Sequence, residues 1–232
     1  MANDRTMIIT GASSGIGAAT ARKASTEGWN LVLAARSTDK IEALAEELGG
    51  PDRAVAVTCD VNDWDSQQAL SDAATDSFGR IDAVFANAGF GGPGGFTGST
   101  PEAWRDMVLT NVYGAALTVR ANLEALKESN GHLLLTGSVA GRRAIPGSLY
   151  SCTKWAVTAM GEAVRGEVAG SGVRVTLIEP GIVATPFWDD GKGPIDSPLQ
   201  EDDVAGAVMW ALNQPAHVDV NEILMRPSAQ SV

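Results

Sequence analysis

The chain has 232 residues, of which 44% are hydrophobic, and its formal net charge at pH 7 is −11. This length and apolar content suffice for one sizeable core, so we expect a single domain over residues 1–232. The negative charge argues against nucleic acids or anionic membranes as partners, and no apolar run approaches the roughly 18 residues that cross a bilayer.

The cysteines and the first residues indicate the cellular compartment of the protein. Cys59 and Cys152 cannot build a disulfide framework, and the opening MANDRTMIIT has no signal-peptide pattern. We therefore expect a cytoplasmic protein without a membrane partner. We expect no metal site.

The first predicted strand, over 7–10, runs directly into the glycine-rich segment GASSGIG at 11–17, and a predicted helix over 18–27 follows. A strand, a glycine turn and a helix N-terminus together place backbone N–H groups against a phosphate. This unit predicts a dinucleotide site, in which Gly11 allows the turn, Gly15 and Gly17 allow a close approach of the ligand and close packing of the helix, and the serines add hydroxyl donors. Its candidate cofactor-binding residues are Gly11, Ser13, Ser14, Gly15, Ile16 and Gly17.

The same segment also fits G-x-S-x-G over 11–15, the nucleophile elbow of a hydrolase. A hydrolase of that type needs a histidine. The chain has only His132 and His217, and His132 precedes a strand that belongs elsewhere in the sheet. Several strands also normally precede the elbow in that fold, so the dinucleotide interpretation is favoured.

The second predicted strand, over 30–35, ends at Arg36. In dinucleotide folds, an acidic residue about 20 positions beyond the glycines holds the ribose 2′-hydroxyl, whereas an arginine accommodates a 2′-phosphate. This strand end carries no carboxylate, and Asp39 belongs to the helix predicted over 39–48. The pattern favours NADP(H); the alternative is that Arg36 is a solvated loop cation.

The next two strands also end in candidate ligand contacts. A strand predicted over 53–59 precedes Asp60 and Val61, which could bind the adenine amino group and cover its ring; alternatively, Asp60 caps the helix predicted over 63–78. The fourth strand, over 81–86, closes on a second turn of small residues that would approach the cofactor from the other side. That turn consists of Asn87, Ala88 and Gly89.

A glycine-rich loop at 91–95, expected to form part of a substrate mouth, leads to one long predicted helix over 101–128. Pro101 suits the first turn of that helix, and Asn130-Gly131 closes it. Asn111 falls inside the helix, where a polar side chain is a poor choice unless it has partners. It is therefore a candidate functional residue.

The segment 133–154 carries the most specific chemistry. An apolar strand ends at Ser138, and a loop rich in Gly, Pro and Arg leads to a helix that opens near Tyr150. Tyr150 and Lys154 are four residues apart, so both lie on one helix face. A lysine cation about 4 Å from a phenol could bring the phenol pKa within about two or three units of neutral pH, where proton transfer to a carbonyl oxygen is efficient. Ser138 could hydrogen-bond the same oxygen; alternatively, the three side chains are unrelated.

The rest of the chain predicts a strand over 173–178, a turn over 179–183, a short lid over 184–200, a helix over 201–213 and a strand over 223–225. Alternating strands and helices with short connections predict an α/β fold: a doubly wound parallel sheet of about seven strands, flanked by helices on both faces. Ligands bind such sheets at the carboxyl ends of the strands. Six candidates fall at or just after such ends: Gly11, Arg36, Asp60, Asn87, Ser138 and Gly181.

The chain resembles the short-chain dehydrogenase/reductase family over essentially all 232 residues and at the usual spacings of that family. The motifs that carry the resemblance are TGASSGIG at 10–17, NAG at 87–89, Asn111, Ser138, YSCTK at 150–154 and PG at 180–181. The family has Asn-Asn-Ala-Gly at the fourth strand, and here Ala86 replaces the first asparagine. The resemblance implies a single-domain Rossmann fold that binds NADP(H), and assembly as a homotetramer or a homodimer.

The resemblance also implies roles for individual residues. Tyr150 would be the catalytic acid/base, and Ser138 would position the carbonyl. Lys154 would bind the nicotinamide ribose and lower the pKa of the tyrosine, while Asn111 would hold a water that links Lys154 to solvent. The nicotinamide would supply the hydride, because side chains cannot. Further cofactor contacts implied at the PG motif are Pro180, Gly181 and Val183.

The expected function is that of an NADP(H)-dependent oxidoreductase that interconverts a small aldehyde, ketone or 3-oxo acid and the corresponding alcohol. The C-terminal sequence is similar to the branch with NADP-dependent 3-hydroxy acid (serine) dehydrogenases and aldehyde reductases such as clavulaldehyde reductase. One alternative is a 3-oxoacyl-carrier-protein reductase, although a chain at −11 offers an acidic carrier protein a poor docking face. The other is a regulator that binds NADP without turnover.

Two groups of residues are candidates for substrate contact. Arg142 and Arg143 follow Ser138, and one of them could face a substrate carboxylate bidentately; alternatively, both are surface cations. The second group could form an apolar wall or simply pack the lid. It consists of Phe90, Ile145, Phe187 and Trp188.

Overall fold

A seven-stranded parallel sheet lies at the centre of the computed structural model, which describes residues 5–92, 94–188, 191 and 193–231. The strands of this sheet are β1 (Thr6–Thr10), β2 (Asn30–Ala35), β3 (Ala54–Thr58), β4 (Ala83–Ala86), β5 (His132–Thr136), β6 (Arg174–Pro180) and β9 (Glu222–Met225). Two further short strands, β7 (Val183–Ala184) and β8 (Leu199–Gln200), form a separate pair. The helices are α1 (Gly15–Thr26), α2 (Thr38–Glu47), α3 (Trp64–Phe78), α4 (Pro101–Val108), α5 (Ala115–Ser129), α6 (Leu149–Val168) and α7 (Glu201–Leu212). Within these residues, no helix is both long and apolar enough to cross a membrane.

The strand order in the sheet is β3-β2-β1-β4-β5-β6-β9, and every neighbouring pair is parallel. The chain moves outward from β1 to β3 and then returns to place β4 on the other side of β1. All the carboxyl ends therefore meet at one edge, with a switch point between β1 and β4, where doubly wound sheets bind ligands. The predicted α/β fold is confirmed.

Helices cover both faces of the sheet, so the inner strands β1, β4 and β5 are largely apolar rather than alternating. In β1, Met7 and Ile9 join one buried core with residues of α1, α2 and α7, whereas Ile8 joins a second core with residues of α3, α5 and α6. Successive side chains of one strand thus enter opposite cores. This burial explains the uninterrupted apolar runs that the sequence shows.

Strand β6 extends further than its apolar run indicates. The sequence predicts 173–178, followed by a turn, but Glu179 and Pro180 continue the ladder by pairing with Leu224 and Met225 of β9. The turn therefore starts only after Pro180. Glu179 is completely buried, a position that its charge does not suggest.

The helix predicted over 101–128 is not regular along its length. Between α4 and α5, residues Leu109–Gly114 form a π-helical segment, and Asn111 lies within it. A β-carbon at Gly114 would lie 2.6 Å from Cγ2 of Val61, so the segment packs closely on the loop after β3. π-Helical segments of this kind frequently occur at functional sites.

Parts of two predicted loops lie outside the described residues. In the glycine-rich loop at 91–95 this applies to Pro93, and in the predicted lid over 184–200 it applies to Asp189, Asp190 and Lys192. The described ends of the lid are β7 and β8, which pair in parallel just before α7.

His132 is a buried neutral histidine at the amino end of β5. Its Nε2 lies 2.7 Å from Oγ1 of Thr176, and that hydroxyl donates its own proton to the Val220 carbonyl oxygen at 2.6 Å, so Nε2 carries the ring proton. Nδ1 is buried and has no hydrogen-bond partner among the described residues. Burial, and then the positive charge of Arg174, lower the pKa of His132 to about 3.

We expect acid to destabilise the protein through His132. Its ordinary pKa is 6.5, so below that pH the unfolded chain binds a proton that the folded chain does not. The free energy of unfolding should therefore fall, by at most about 1.4 kcal/mol per pH unit, as the pH drops from 6.5 towards 3. Urea unfolding between pH 7 and pH 4 should show a shallower fall for His132→Asn. His217→Asn, at an exposed position, should keep the wild-type slope; equal slopes in all three proteins would contradict the assignment.

Candidate active site

A cleft of about 710 Å³ opens at the carboxyl edge of the sheet. Most of the predicted cofactor-binding residues line it, and so do Ser138 and all four members of the predicted apolar wall. The predicted cofactor residues that line it are Gly11, Ser13, Ser14, Gly15, Ile16, Arg36, Asp60, Val61, Asn87, Ala88, Gly89, Tyr150, Lys154, Pro180, Gly181 and Val183. Four predicted site residues do not line it, namely Gly17, Asn111, Arg142 and Arg143.

The glycine turn between β1 and α1 needs its glycines for two different reasons. Gly11 and Gly15 have φ angles of +67° and +55°, in the left-handed region that favours glycine. Gly17 instead lies against the main chain, because a β-carbon there would overlap the Gly11 carbonyl oxygen. Gly17 thus allows the close packing of the helix on the turn that the sequence predicts, whereas its predicted part in the approach of a ligand has no support, because Gly17 does not line the cleft.

The N-terminus of α1 can receive an anion. Ser14, its N-cap residue, makes no side-chain capping hydrogen bond, and no acidic residue occupies the first turn. Ser13 and Ser14 both line the cleft next to the free backbone N–H groups in the first turn of α1, and Arg36 lines it at the end of β2. Helix N-termini with free donors bind phosphates. The residues present therefore fit the phosphates of a dinucleotide.

The same turn offers no support for a hydrolase. Ser13 lines the cleft at the carboxyl edge of the sheet. Both histidines lie at the opposite edge: His132 opens β5, and His217 belongs to the connection that enters β9 from its amino end. Neither ring can act as a base on a serine nucleophile in the cleft.

Asn87 connects the carboxyl ends of β1, β4 and β5 through hydrogen bonds. Its amide nitrogen donates to the Thr10 carbonyl oxygen at 3.1 Å, and its amide oxygen accepts from Oγ1 of Thr136 at 3.0 Å. Oγ1 of Thr10 in turn accepts the backbone N–H groups of Asn87 and Ala88. Thr10 and Thr136 were not among the predicted site residues; the signal for them is a threonine next to a glycine at the end of an apolar strand.

Lys154 and Ser138 converge on Tyr150. Nζ of Lys154 donates to the Thr136 carbonyl oxygen at 2.7 Å and lies 5.6 Å from the centroid of the Tyr150 ring, and the lysine is only 4% exposed. Ser138 lies close enough to Tyr150 to affect the pKa of its phenol; its hydroxyl donates to the Pro180 carbonyl oxygen at 3.4 Å and accepts the N–H of Ala140 at 3.1 Å. The structure thus brings together the three side chains that the sequence places on a strand end and one helix face.

The pKa of Tyr150 differs from the expectation. Burial raises it to about 12, and the hydrogen bond with Ser138 only partly opposes that rise. Burial also lowers the pKa of Lys154 to about 8. In the protein alone, desolvation of the phenolate is the largest effect, so the pKa of Tyr150 is raised there and the lowering by Lys154 stays a prediction. At neutral pH, Tyr150 is therefore a neutral phenol.

Asn111 is held by the loop after β4 and by α6. Its amide oxygen accepts the Phe90 N–H at 3.0 Å, and its amide nitrogen donates to the Phe90 carbonyl oxygen at 2.9 Å and to Oγ1 of Thr153 at 3.1 Å. A β-carbon at Gly89 would lie 3.0 Å from the Asn111 oxygen and 3.7 Å from Nζ of Lys154. Asn111 therefore lies behind the lysine, and both of its amide protons are already used. A relay water would have to bond to the amide oxygen or the backbone.

The expectation that Arg142 meets a substrate carboxylate is wrong, because Arg142 already binds two carboxylates of the protein. Its Nε donates to both oxygens of Glu179, at 2.8 and 3.0 Å, and its guanidinium also pairs with Glu222. Glu179 is fully buried, and a buried carboxylate needs such a partner. Arg143 is exposed and does not line the cleft; its main-chain carbonyl accepts the hydroxyl of Ser151 at 2.9 Å.

Comparisons with known proteins all find dehydrogenases or other oxidoreductases. A family model described as short chain dehydrogenase matches residues 5–192. An uncharacterized oxidoreductase of Staphylococcus saprophyticus is 36% identical over 242 residues, covering 99% of this chain and 98% of that protein. An alcohol dehydrogenase from the archaeon Thermococcus sibiricus, solved with 5-hydroxy-NADP, has a TM-score of 0.90 and 33% identity, covering 97% of each chain. The closed form of a serine dehydrogenase complexed with NADP+ has a TM-score of 0.91 and 30% identity, covering 98% of this chain and 96% of that chain.

The two neighbouring arginines should differ sharply in their effect on stability. Arg142→Met leaves the buried carboxylate of Glu179 without its cation, and we expect a loss of about 3 kcal/mol in the free energy of unfolding. Arg143→Met is the matched control, and it should change stability by less than about 0.5 kcal/mol because its side chain is exposed. Urea unfolding of both variants measures this, and similar losses would contradict the pairing.

Proposed function

The chain belongs to the short-chain dehydrogenase/reductase family and is an oxidoreductase that uses a nicotinamide cofactor. We propose that it interconverts a small aldehyde, ketone or 3-oxo acid and the corresponding alcohol with NADP(H). One observation carries this proposal: Ser138, Tyr150 and Lys154 meet in the same cleft as an uncapped helix N-terminus behind a glycine turn. The cleft thus joins a proton donor to a dinucleotide site.

In the proposed reduction, Tyr150 donates its phenol proton to the carbonyl oxygen of the substrate. The nicotinamide, when bound, supplies the hydride. Ser138, whose hydroxyl donates to the Pro180 carbonyl oxygen at 3.4 Å in the protein alone, would turn that single proton to the carbonyl oxygen of the substrate and fix its position. The Lys154 ammonium, held by the Thr136 carbonyl, stabilises the phenolate left on Tyr150 through its charge. In the reverse direction the phenolate accepts the alcohol proton.

The preference for NADP(H) rests on the end of β2. Arg36 lines the cleft and is exposed there, and its neighbours Ala35 and Ser37 carry no charge that would repel a phosphate. An arginine at this position suits a 2′-phosphate. The structures solved with 5-hydroxy-NADP and with NADP+ are compatible with this preference.

We also propose that the protein is cytoplasmic and self-associates as a homotetramer or homodimer. Cys59 and Cys152 are free thiols in the structure, as suits a reducing compartment. Large apolar side chains are exposed on the helices α6 and α7 and on the edge strand β9, namely Trp155, Trp210 and Leu224. Such surfaces commonly mark contacts between subunits.

Removing the Tyr150 hydroxyl tests the proton donor. Tyr150→Phe should lower kcat for carbonyl reduction by about 100-fold or more, because general acid catalysis contributes that much, while the Kd for NADPH stays within about twofold. Stopped-flow turnover and fluorescence titration with NADPH measure the two quantities. The chain has only one other tyrosine, Tyr113, which is half exposed, and Tyr113→Phe should behave as wild type. Retained turnover in Tyr150→Phe would overturn the acid assignment.

Reversing the charge at Arg36 tests the cofactor preference. Arg36→Asp should lower kcat/KM for NADPH and raise it for NADH, shifting their ratio by about 100-fold, because a cation for the 2′-phosphate becomes an acceptor for a 2′-hydroxyl. Arg105→Asp, at an exposed position on α4, controls for a general change in charge. An unchanged ratio in Arg36→Asp would exclude a 2′-phosphate contact at this residue.

A further inference from the structure

The part of the cleft next to Tyr150 has an aromatic wall. The Phe187 ring lies between two others: its centroid is 5.5 Å from that of Tyr150 and 5.2 Å from that of Trp188, both in edge-to-face geometry. The Trp188 indole is fixed in turn by a hydrogen bond from Nε1 to the Val183 carbonyl oxygen at 3.0 Å. The wall is therefore a built surface whose apolar side borders the proposed proton donor.

This wall is accessible from the cleft. Phe187 is 42% exposed and Ile145 is 44% exposed, although both line the cleft. A β-carbon at Gly91 would collide with the Phe187 ring, so this ring rests directly on the main chain of the loop after β4. An apolar group that binds against these side chains removes apolar surface from water on both partners, which favours its binding.

The charged side chains of the cleft lie elsewhere. Among the described residues that line it, these are Arg36, Asp60 and Lys154. Arg36 and Asp60 follow β2 and β3, on the side of the sheet away from β5 and β6. Lys154 is buried, and its ammonium is bound to the Thr136 carbonyl. Among the described cations of the lining, Lys154 is therefore the nearest to the aromatic wall, and its charge is already bound by a main-chain carbonyl.

The arginines nearest along the chain do not supply the missing cation. Arg142 is bound to Glu179 and Glu222, and Arg143 lies outside the cleft lining. A carboxylate that leaves water for an apolar wall without a cation or several donors is strongly disfavoured. A neutral group meets no such penalty.

We propose that the preferred substrate is a neutral ketone or aldehyde with an apolar, aliphatic or aromatic group beside the reacting carbon, and that substrates with a carboxylate there are selected against. This inference rests on the carbonyl–alcohol chemistry of the proposed function and narrows it. Within that function, 3-oxo acids become poor substrates, and uncharged carbonyl compounds become good ones. The apolar group occupies the wall formed by Ile145, Phe187 and Trp188.

A matched pair of ketones tests the proposal on the full-length protein. Methyl 4-oxopentanoate and 4-oxopentanoate have the same reacting ketone, and the ester or carboxylate is far enough away to leave its reactivity similar. NADPH consumption should give a kcat/KM at least about tenfold higher for the ester than for the acid, a factor equivalent to about 1.4 kcal/mol. An acid that is used as well as the ester, or better, overturns the inference and leaves the proposed function standing.

Variants of the wall provide a second readout. Phe187→Ala should raise KM for the ester at least about fivefold, with a smaller change in kcat and an unchanged Kd for NADPH, because it removes ground-state contacts with the apolar group. Phe96→Ala is the matched control, since Phe96 is 59% exposed and packs on Trp104 outside the cleft lining. An unchanged KM in Phe187→Ala contradicts the assignment of the wall.

The outcomes separate the two levels of the proposal. If the acid is preferred, Arg143→Ala and Lys192→Ala identify the cation responsible; Lys192 lies outside the described residues. If neither ketone nor any of a panel of uncharged aldehydes consumes NADPH, although NADPH binds, the proposed function itself fails. Only the first outcome is specific to the charge of the substrate.

Discussion

The candidate site depends on the burial of one ammonium group, that of Lys154. Its hydrogen bond to the Thr136 carbonyl at 2.7 Å fixes α6 on the end of β5. Tyr150, one helical turn earlier, is thereby held beside Ser138, which follows the same strand. A buried ammonium without such an acceptor would be strongly disfavoured, so this bond fixes the charge in the cleft and, together with the packing of α6 on the core, the position of the helix. The position of the Tyr150 phenol therefore depends on the hydrogen bond between Lys154 and the Thr136 carbonyl oxygen.

Local patterns were sufficient to predict the fold, and most of the predicted site residues line the cleft. The apolar runs of β1 and β5, the glycine turn before α1 and the four-residue spacing of Tyr150 and Lys154 are all short-range features, and parallel strands bring their carboxyl ends to one edge regardless of detail. The π-helical segment at Leu109–Gly114 could not be predicted in this way. It depends on contacts that Asn111 and Gly114 make with residues distant in sequence, and apolar periodicity contains no information about them.

The errors concerning charged residues have the same origin. An arginine in a glycine-rich loop looks available for a ligand, but Arg142 is bound to Glu179 on β6 and Glu222 on β9, 37 and 80 positions later. Similarly, the spacing of Tyr150 and Lys154 predicts their proximity but not the degree of desolvation, which raises the pKa of the phenol to about 12. Coulomb attraction can be anticipated from spacing, whereas the opposing cost of burial is known only once the neighbouring elements are in place.

The corrections for Arg142 and for the pKa of Tyr150 both concern the reaction that the site can support. A phenol with a pKa of about 12 retains its proton throughout the physiological range, so under the proposed mechanism it is ready to protonate a carbonyl oxygen without prior ionisation. Alcohol oxidation requires the phenolate, and each pKa unit above the ambient pH makes that form about 1.4 kcal/mol less accessible. A nearby positive charge favours the phenolate, and both the Lys154 ammonium and an oxidised nicotinamide ring, when bound, would act in that direction. Under the proposed function, the protonated phenol suits the protonation of a carbonyl oxygen, and the apolar wall at Phe187 suits an uncharged substrate.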